Sequence, residues 1–199
     1  MSTYTESIEK LIERLIKLPG IGRRSAERII GYILSASLDE VKKLSEAISK
    51  AKENVRFCRI CNNFSEQELC RICQDDRRRK DIICIVEKPS DVSAIEKTGN
   101  FSGVYHVLLG SISPLEGRGP GDLQTDSLIR RIRENNIQEI IIATDADTEG
   151  ETTALYLTKL IKPQGIRITR IGVGIPMGSN LEYADSTTLS KALESRREI

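Results

Sequence analysis

The sequence has few of the residues on which several protein functions depend. It contains no Trp, three Phe and one His among 199 residues. So few aromatic rings offer little surface on which the bases of single-stranded nucleic acid stack tightly. The single histidine, His106, lies in an apolar segment, where a core position is more common than the role of a catalytic base. The phosphate-loop pattern G-x-x-x-x-G-K-[ST] is absent, which argues against ATP hydrolysis by this chain alone.

Long apolar segments are also absent. No run of about eighteen apolar residues occurs, which excludes a transmembrane helix. The first residues, MSTYTES, lack the basic start and apolar stretch of a secretory signal. We therefore expect a cytosolic protein. Its composition, with 39% hydrophobic and 30% charged residues, is typical of a folded globular chain.

The formal net charge of +1 conceals a separation of the two signs. Residues 1–80 hold 17 basic and 12 acidic side chains, a difference of +5, whereas residues 81–199 hold 13 and 17, a difference of −4. The basic first part indicates a polyanionic partner, and the acidic second part indicates a metal ion or a basic protein. An imbalance of this size also occurs on ordinary solvated surfaces.

Hydrophobic periodicity divides the chain into four predicted domains. Residues 1–53 carry apolar residues at spacings of three and four, which predicts three helices, the third capped near Asp39. Residues 54–80 lose this periodicity and hold four cysteines, as expected of a small separate module. In residues 81–173, short apolar runs alternate with helical patterns, and residues 174–199 form a tail.

The alternation predicts a parallel sheet with helices on both faces, within an α/β multidomain protein. In chain order, the predicted strands and helices are Ile82–Val86, Ser90–Thr98, Tyr105–Leu109, Leu123–Asn135, Ile140–Ala143, Thr152–Ile161 and Ile166–Val173. A last, charged helix is predicted over Thr188–Arg197.

A glycine-rich turn joins the first two predicted helices. Gly20 and Gly22 permit a tight hairpin and leave backbone N–H groups uncovered at a helix N-terminus, where a phosphate oxygen can bind. Arg23, Arg24 and Arg28 follow, and the last two share a helical face because they are four residues apart. This pattern is typical of a helix-hairpin-helix motif, which contacts phosphates and reads no bases. A helical turn with solvated arginines is the alternative.

Four of the five cysteines have the spacing of metal ligands. Cys58-x2-Cys61 and Cys70-x2-Cys73 present four thiolates to one tetrahedral Zn²⁺. Two disulfides fit a reducing compartment poorly, and a redox pair does not need a second copy. We therefore predict one structural zinc per chain, with no open position for catalysis. Cys84 lies in a predicted strand and is expected to be a core thiol.

Carboxylates follow two of the predicted strands. Glu87 ends the first strand of the sheet, and Asp145 and Asp147 follow a later one. Because the carboxyl ends of parallel strands share one edge, the three side chains are candidates to hold Mg²⁺ there. Carboxylates that are merely solvated are the alternative. Glu149 and Glu151 open the next helix, where acidic side chains are ordinary partners of the helix dipole.

Longer motifs spread over nearly the whole chain resemble the RecR family of bacterial recombination mediators. The hairpin Leu18-Pro-Gly-Ile-Gly and the four cysteines resemble the first two modules of that family. The segments that resemble its Toprim domain and C-terminal tail are 86–92, 105–108, 112–120, 148–157, 174–185 and 189–196.

The resemblance implies a non-enzymatic DNA-binding protein of recombinational repair, present in the cytoplasm at the nucleoid and not at a membrane. Members form rings around double- or single-stranded DNA without sequence preference, and a tetrameric ring is expected here. They act on damaged DNA with RecO and RecF to help load RecA at single-stranded gaps.

The resemblance also assigns roles by position. Arg24 and Arg28 would line the DNA, and the first domain and the tail would supply subunit contacts. The acidic edge around Glu87, Asp145 and Glu149, with Glu151 beside it, would dock RecO.

The aspartate pair departs from the family pattern. The first aspartate is commonly an uncharged residue in that family, whereas Asp145-Ala146-Asp147 is complete here and resembles type I topoisomerases. A second hypothesis therefore stays open, a Mg²⁺-dependent Toprim enzyme that nicks or rejoins phosphodiester bonds. The lack of a nucleophile motif counts against it. A structural protein without a DNA role is the third hypothesis.

Overall fold

The computed structural model describes residues 4–172 and 174–196. Contacts within it divide the chain into two compact units, Met1–Val55 and Arg56–Ile199. The cysteine module and the sheet, which the sequence separates, thus belong to one unit. The domain boundaries within that unit stay a prediction.

The first unit contains three helices, α1 (Glu6–Leu15), α2 (Arg23–Ser35) and α3 (Leu38–Asn54). The apolar residues at helical spacing form its core, in which Ile12, Ala26 and Ile30 are buried. The turn between α1 and α2 depends on Gly20, whose φ of 79° lies in the left-handed region that side chains other than glycine disfavour.

The cap of the third helix lies two residues before the predicted one. Its N-cap is Ser37, whose Oγ accepts a hydrogen bond from the N–H of Glu40 at 3.3 Å, while the Glu40 carboxylate accepts from the N–H of Ser37 at 3.1 Å. This capping box satisfies two backbone donors at once. The prediction of Asp39 as the cap was therefore wrong, and Asp39 instead pairs with Lys43 inside the first turn.

The second unit starts with the cysteine module. Two short antiparallel strands, β1 (Arg56–Phe57) and β2 (Phe64–Ser65), precede α4 (Arg71–Gln74). Phe57 and Phe64 stack with ring centroids 5.7 Å apart. The four buried cysteines occupy the interior position that apolar side chains occupy elsewhere.

A four-stranded parallel sheet follows, with strand order β4-β3-β5-β6. Its strands are β3 (Arg79–Val86), β4 (Gly103–Val107), β5 (Glu139–Ile142) and β6 (Arg167–Arg170). The remaining helices are α5 (Pro89–Glu96), α6 (Thr125–Glu134), α7 (Thr148–Ile161) and, in the tail, α8 (Ser186–Glu194). Short 3-10 helices cover Pro114–Glu116, Pro120–Asp122, Lys162–Gln164 and Leu181–Tyr183.

The predicted helices on both faces of the sheet are confirmed. Side chains alternate across a strand, so Ile83 and Ile85 enter a large core with residues of α6 and α7. Cys84 and Val86 point to the other face and pack with Val92 of α5. Within the described ranges, every helix is too short or too polar to cross a membrane.

Most element boundaries differ from the prediction by a few residues, two of them for clear local reasons. Helix α7 begins at Thr148 rather than Thr152 because Asp147 caps it, with its Oδ1 accepting from the N–H of Gly150 at 2.7 Å. Strand β4 ends at Val107 because Leu109 has a φ of 63°, which is incompatible with an extended strand.

The tail helix also starts earlier than predicted. It covers Ser186–Glu194 because the carboxylate of Asp185 caps it by accepting from the N–H groups of Thr187 and Thr188. Strand β6 ends at Arg170 and helix α8 at Glu194, so both end earlier than predicted. The predicted last residues, Val173 and Arg197, themselves lie outside the described residues.

Candidate DNA-binding hairpin, metal centre and acidic edge

The hairpin of the first unit leaves the N-terminus of α2 open. Gly22 is the N-cap, has an ordinary φ of −85°, and offers no side chain to bond the first N–H groups of the helix. Those groups point to where an anion binds at a helix N-terminus. Of the two glycines, only Gly20 is required by its backbone conformation.

The three hairpin arginines have different surroundings. Arg23 is paired, with Nη2 2.9 Å from Glu9 Oε1 and Nε 3.2 Å from Glu27 Oε1, and Glu9 raises the pKa of Arg23. Arg24 and Arg28 are exposed, and neither has an ion-pair or hydrogen-bond partner among residues 4–172 and 174–196. Of the three arginines predicted to bind DNA, Arg24 and Arg28 therefore carry the positive charge that no described carboxylate compensates.

The four cysteines converge as their spacing predicts. Their sulfur atoms all lie within 4.8 Å of one another, and Cys61 Sγ is 3.5 Å from Cys70 Sγ. The cysteines are buried and form no disulfide. A tetrahedral zinc with bonds of about 2.3 Å needs sulfur atoms about 3.8 Å apart. The donor set therefore fits one Zn²⁺ with four thiolate ligands.

The chemistry of the sulfurs also requires a cation. Hydrogen bonds from neighbouring thiols lower the pKa of Cys58, which favours its thiolate. The hydrogen bond that Cys61 makes with Cys58 raises the pKa of Cys61 in turn. Four thiolates at these distances repel one another strongly unless a metal ion compensates their charge. Cys84 lies apart in β3, and burial raises its pKa to about 12, as expected of a core thiol.

The cysteine module is bonded to the edge of the sheet. The N–H of Val107 donates to the carbonyl of Cys61 at 2.8 Å, and the side-chain amide of Asn62 donates to the carbonyl of Val107 at 3.0 Å. These bonds occupy backbone groups of β4, the edge strand, that otherwise lack a partner strand. The metal site and the sheet are thus parts of one folded unit.

The carboxylates predicted for Mg²⁺ lie at the carboxyl edge of the sheet, each bonded to protein groups. Glu87 is buried, which raises its pKa, and its Oε1 accepts from the N–H of Asp145 at 3.0 Å. Asp145 Oδ2 lies 3.6 Å from Lys88 Nζ, and Asp147 caps α7. Among the described residues, only the cysteines form a group of three or more ligands within 4.8 Å. The structure therefore gives the Mg²⁺ prediction no support.

Glu149 is held by a loop that sequence reasoning did not connect with it. Its carboxylate accepts hydrogen bonds from Ser111 Oγ at 3.3 Å and from Ser113 Oγ, and lies 4.0 Å from Arg118 Nη2. Ser113 and Glu149 are 36 residues apart, so no local spacing rule reveals the contact.

Glu151 faces the tail. Its two oxygens lie 2.7 Å from Arg170 Nη1 and 3.1 Å from Lys191 Nζ. Burial opposes its ionisation, but Lys191 and Arg170 outweigh burial and lower the pKa of Glu151. The carboxylate thus joins α7 to β6 and α8 within the chain.

The single histidine lies in the core. His106 is fully buried in β4, and its Nε2 lies 2.7 Å from the carbonyl of Gln124. Burial lowers the pKa of His106 to about 4, so the ring is neutral at pH 7. Its Nδ1 has no partner among the described residues. This buried position agrees with the core role that the apolar segment indicates.

Comparison with known proteins decides the family. The protein is similar over its full length to the recombination protein RecR of Pelotomaculum thermopropionicum, with 50% identity over 199 residues and 100% of both chains covered. The chain belongs to the RecR family. Family models match as the RecR helix-hairpin-helix (8–52), the RecR four-cysteine zinc finger domain (55–75), the Toprim domain (81–172) and the RecR C-terminal region (174–197).

Membership of the RecR family agrees with the site geometry. The helix-hairpin-helix match covers the open N-terminus of α2 and its free arginines, and this motif indicates DNA binding. The zinc-finger match covers the converging cysteines. The relative is named as a recombination protein.

Proposed function

We propose that the protein is a non-enzymatic DNA clamp of recombinational repair, which holds the phosphate backbone without sequence preference. The observation that carries this proposal is the pair of exposed arginines, Arg24 and Arg28, which have no partner among the described residues and follow the uncapped start of α2. Phosphate contacts position a protein on DNA but carry no base information. Backbone N–H groups and guanidinium groups together favour a phosphate oxygen.

The clamp is a homo-oligomer in this proposal, a tetrameric ring that closes around double- or single-stranded DNA. Exposed apolar side chains of the first unit support it, since Tyr32, Leu34, Leu38 and Ile48 are each 65–70% exposed in the single chain. Such surfaces commonly become buried between subunits. A closed ring retains DNA even where each contact is weak, because linked sites raise the effective concentration.

The protein acts with RecO and RecF in this proposal, to help load RecA on single-stranded gaps in the cytoplasm, at the nucleoid. The exposed Asp145 and the half-buried Glu149 of the acidic edge are the docking candidates for RecO. Glu87 is buried and Glu151 is paired within the chain. In this proposal both residues therefore hold the acidic edge in place and do not contact RecO directly. Bound Mg²⁺ at Glu87, Asp145 and Asp147 stays a prediction.

One structural zinc per chain completes the proposal. Cys58, Cys61, Cys70 and Cys73 would hold it, and the bound ion would close the module against β4. All four ligand positions are protein thiolates, which leaves no open position for a reacting water.

Salt-dependent DNA binding tests the clamp. Replacing Arg24 and Arg28 by Gln should lower the slope of log K against log salt by about 1.8 on duplex DNA, since each phosphate contact contributes about 0.9. The matched control replaces Lys42 and Lys52 of α3 by Gln, which removes the same charge from exposed positions of the same unit. An unchanged slope in the arginine variant, or an equal change in the control, would remove the hairpin from the interface.

A plasmid assay tests the absence of catalysis. The wild-type protein should leave supercoiled plasmid uncut and unrelaxed with Mg²⁺ or Mn²⁺. Metal-dependent cutting that disappears in the Asp145→Asn, Asp147→Asn double variant would show that the aspartate pair is catalytic. The non-enzymatic proposal would then be wrong.

A further inference from the structure

A basic cavity of about 540 Å³ lies in the second unit, between the cysteine module, the sheet and α6. Four cationic side chains line it, Arg59, Lys80, Arg130 and Arg131, against the single carboxylate of Glu134. Three separate parts of the chain supply these cations. Neither the clamp nor the zinc site accounts for their convergence.

The four cations are not equally available to a ligand. Arg131 Nη1 donates to the carbonyl of Tyr105 at 2.7 Å, and burial lowers the pKa of Arg131 although the charges of the nearby cysteines oppose that shift. Arg131 is therefore already engaged within the protein. Arg130 is exposed and has no ion-pair or hydrogen-bond partner in the described part of the chain.

The other two cations, Arg59 and Lys80, form ion pairs that are exposed to solvent. Arg59 pairs with Glu68 at 2.9 Å, and both side chains are about two-thirds exposed or more. Lys80 pairs with Asp76 in a similarly open position. Exposed ion pairs contribute little to stability, so a phosphate can compete with Glu68 and Asp76 for these cations.

The walls of the cavity are partly apolar. Ile60 from the cysteine module lines it, with the polar side chains of Ser127 and Asn135 at α6 and the predicted zinc ligand Cys73. Val104 of β4 lies beneath them and is only 1% exposed. The volume lies within the range of about 300–1,000 Å³ that is typical of small-ligand pockets. A group of nucleotide size therefore fits inside, whereas a duplex can only lie across the mouth.

We propose that this cavity binds one unpaired nucleotide of single-stranded DNA. Its phosphate lies between Arg59 and Arg130, and its sugar and base pack on Ile60. Guanidinium groups pair with phosphate oxygens in a fork geometry. The apolar side chain of Ile60 contacts the sugar and base. The inference rests on the proposed DNA-binding function and adds a contact that is specific for single strands.

The test uses the zinc-loaded full chain, a fluorescent oligo-dT and a duplex of equal length, each titrated over a salt series. Arg59→Gln and Arg130→Gln should each lower the single-strand slope by about 0.7 and weaken binding about fivefold at 0.1 M salt. Duplex binding should not change. Arg133→Gln is the matched control, because Arg133 is exposed on the same helix but does not line the cavity.

Several results would overturn the proposal. An Arg133→Gln effect as large as that of Arg130→Gln would indicate diffuse attraction, and an equal loss on duplex would place the contact outside the cavity. If dTMP or a poly-Glu peptide bound in an Arg130-dependent way while oligo-dT did not, the cavity would serve a free nucleotide or an acidic protein segment.

The same titrations separate this proposal from the clamp. If the Arg24, Arg28 variant loses salt dependence and the cavity variants do not, the cavity proposal fails and the clamp stands. If the wild-type protein binds no DNA at low salt, both fail. Competition of dTMP against oligo-dT in the wild type, lost in Arg130→Gln, would support the cavity proposal.

Discussion

Replacement by alanine should have opposite effects on the stability of the protein at two of its glycines. Both Gly150 in α7 and Gly31 in α2 are helical. A Cβ on Gly150 would lie 2.0 Å from the carbonyl oxygen of Asp145 and 2.8 Å from its carbonyl carbon, whereas a Cβ on Gly31 would meet nothing within 4 Å. The difference arises because the loop of the acidic edge passes directly over the start of α7.

The magnitudes follow from these distances. Gly31→Ala should stabilise the first unit by about 1 kcal/mol, the ordinary gain from alanine in an exposed helix. Gly150→Ala has the same intrinsic gain, but the contact is with backbone that cannot rotate away. Overpacking costs about 1–3 kcal/mol or more, so a net loss of about 2 kcal/mol is expected. The loop that positions Asp145 must also shift.

Urea unfolding and calorimetry of each variant measure the effect. In Gly150→Ala, the melting temperature of the second unit should fall by about 2–4 °C for each kcal/mol of lost stability. A Gly150→Ala protein as stable as the wild type, with the Asp145 amide unchanged in NMR spectra, would refute the close approach of loop and helix.

Two further predictions concern His106 and the metal site. Because burial lowers the pKa of His106 from 6.5 to about 4, the folded state resists protonation, and about 3 kcal/mol of stability should be lost as pH falls from 6.5 to 4. As the only histidine, its NMR titration should have a midpoint near 4, and a midpoint above 6 would contradict burial. Cys58→Ser should reduce zinc below one ion per chain, while Cys84→Ala retains it; full zinc in Cys58→Ser would contradict the four-thiolate site.

Local features of this protein were predictable from the sequence. The two CxxC pairs predict the cysteine cluster because two residues between ligands place both sulfurs on one side of a tight turn. Spacings of three and four predict the core of α1 and α2, and the short apolar runs predict the buried strands. Boundaries were less accurate, because caps such as Ser37 and Asp147 compete with neighbouring polar residues.

The candidate sites were only partly predictable. The sequence brings Arg23, Arg24 and Arg28 together as one basic group, but Glu9 pairs with the first of them from another helix. It also places Glu87 at one edge with Asp145, as the structure does. That Glu87 is buried, and that the three carboxylates do not form a compact ligand group, depends on how the loop lies on the sheet.

The sequence by itself therefore determined the modules, their order and the family, since these depend on spacing along the chain. Only the tertiary structure decided the strand order β4-β3-β5-β6, the pairing of Glu151 with Lys191 and the basic cavity. Arg59 and Arg130 are distant in sequence and line one cavity because the cysteine module is bonded to the edge strand. Contacts of this kind arise from packing between elements, and no periodicity along the chain encodes them.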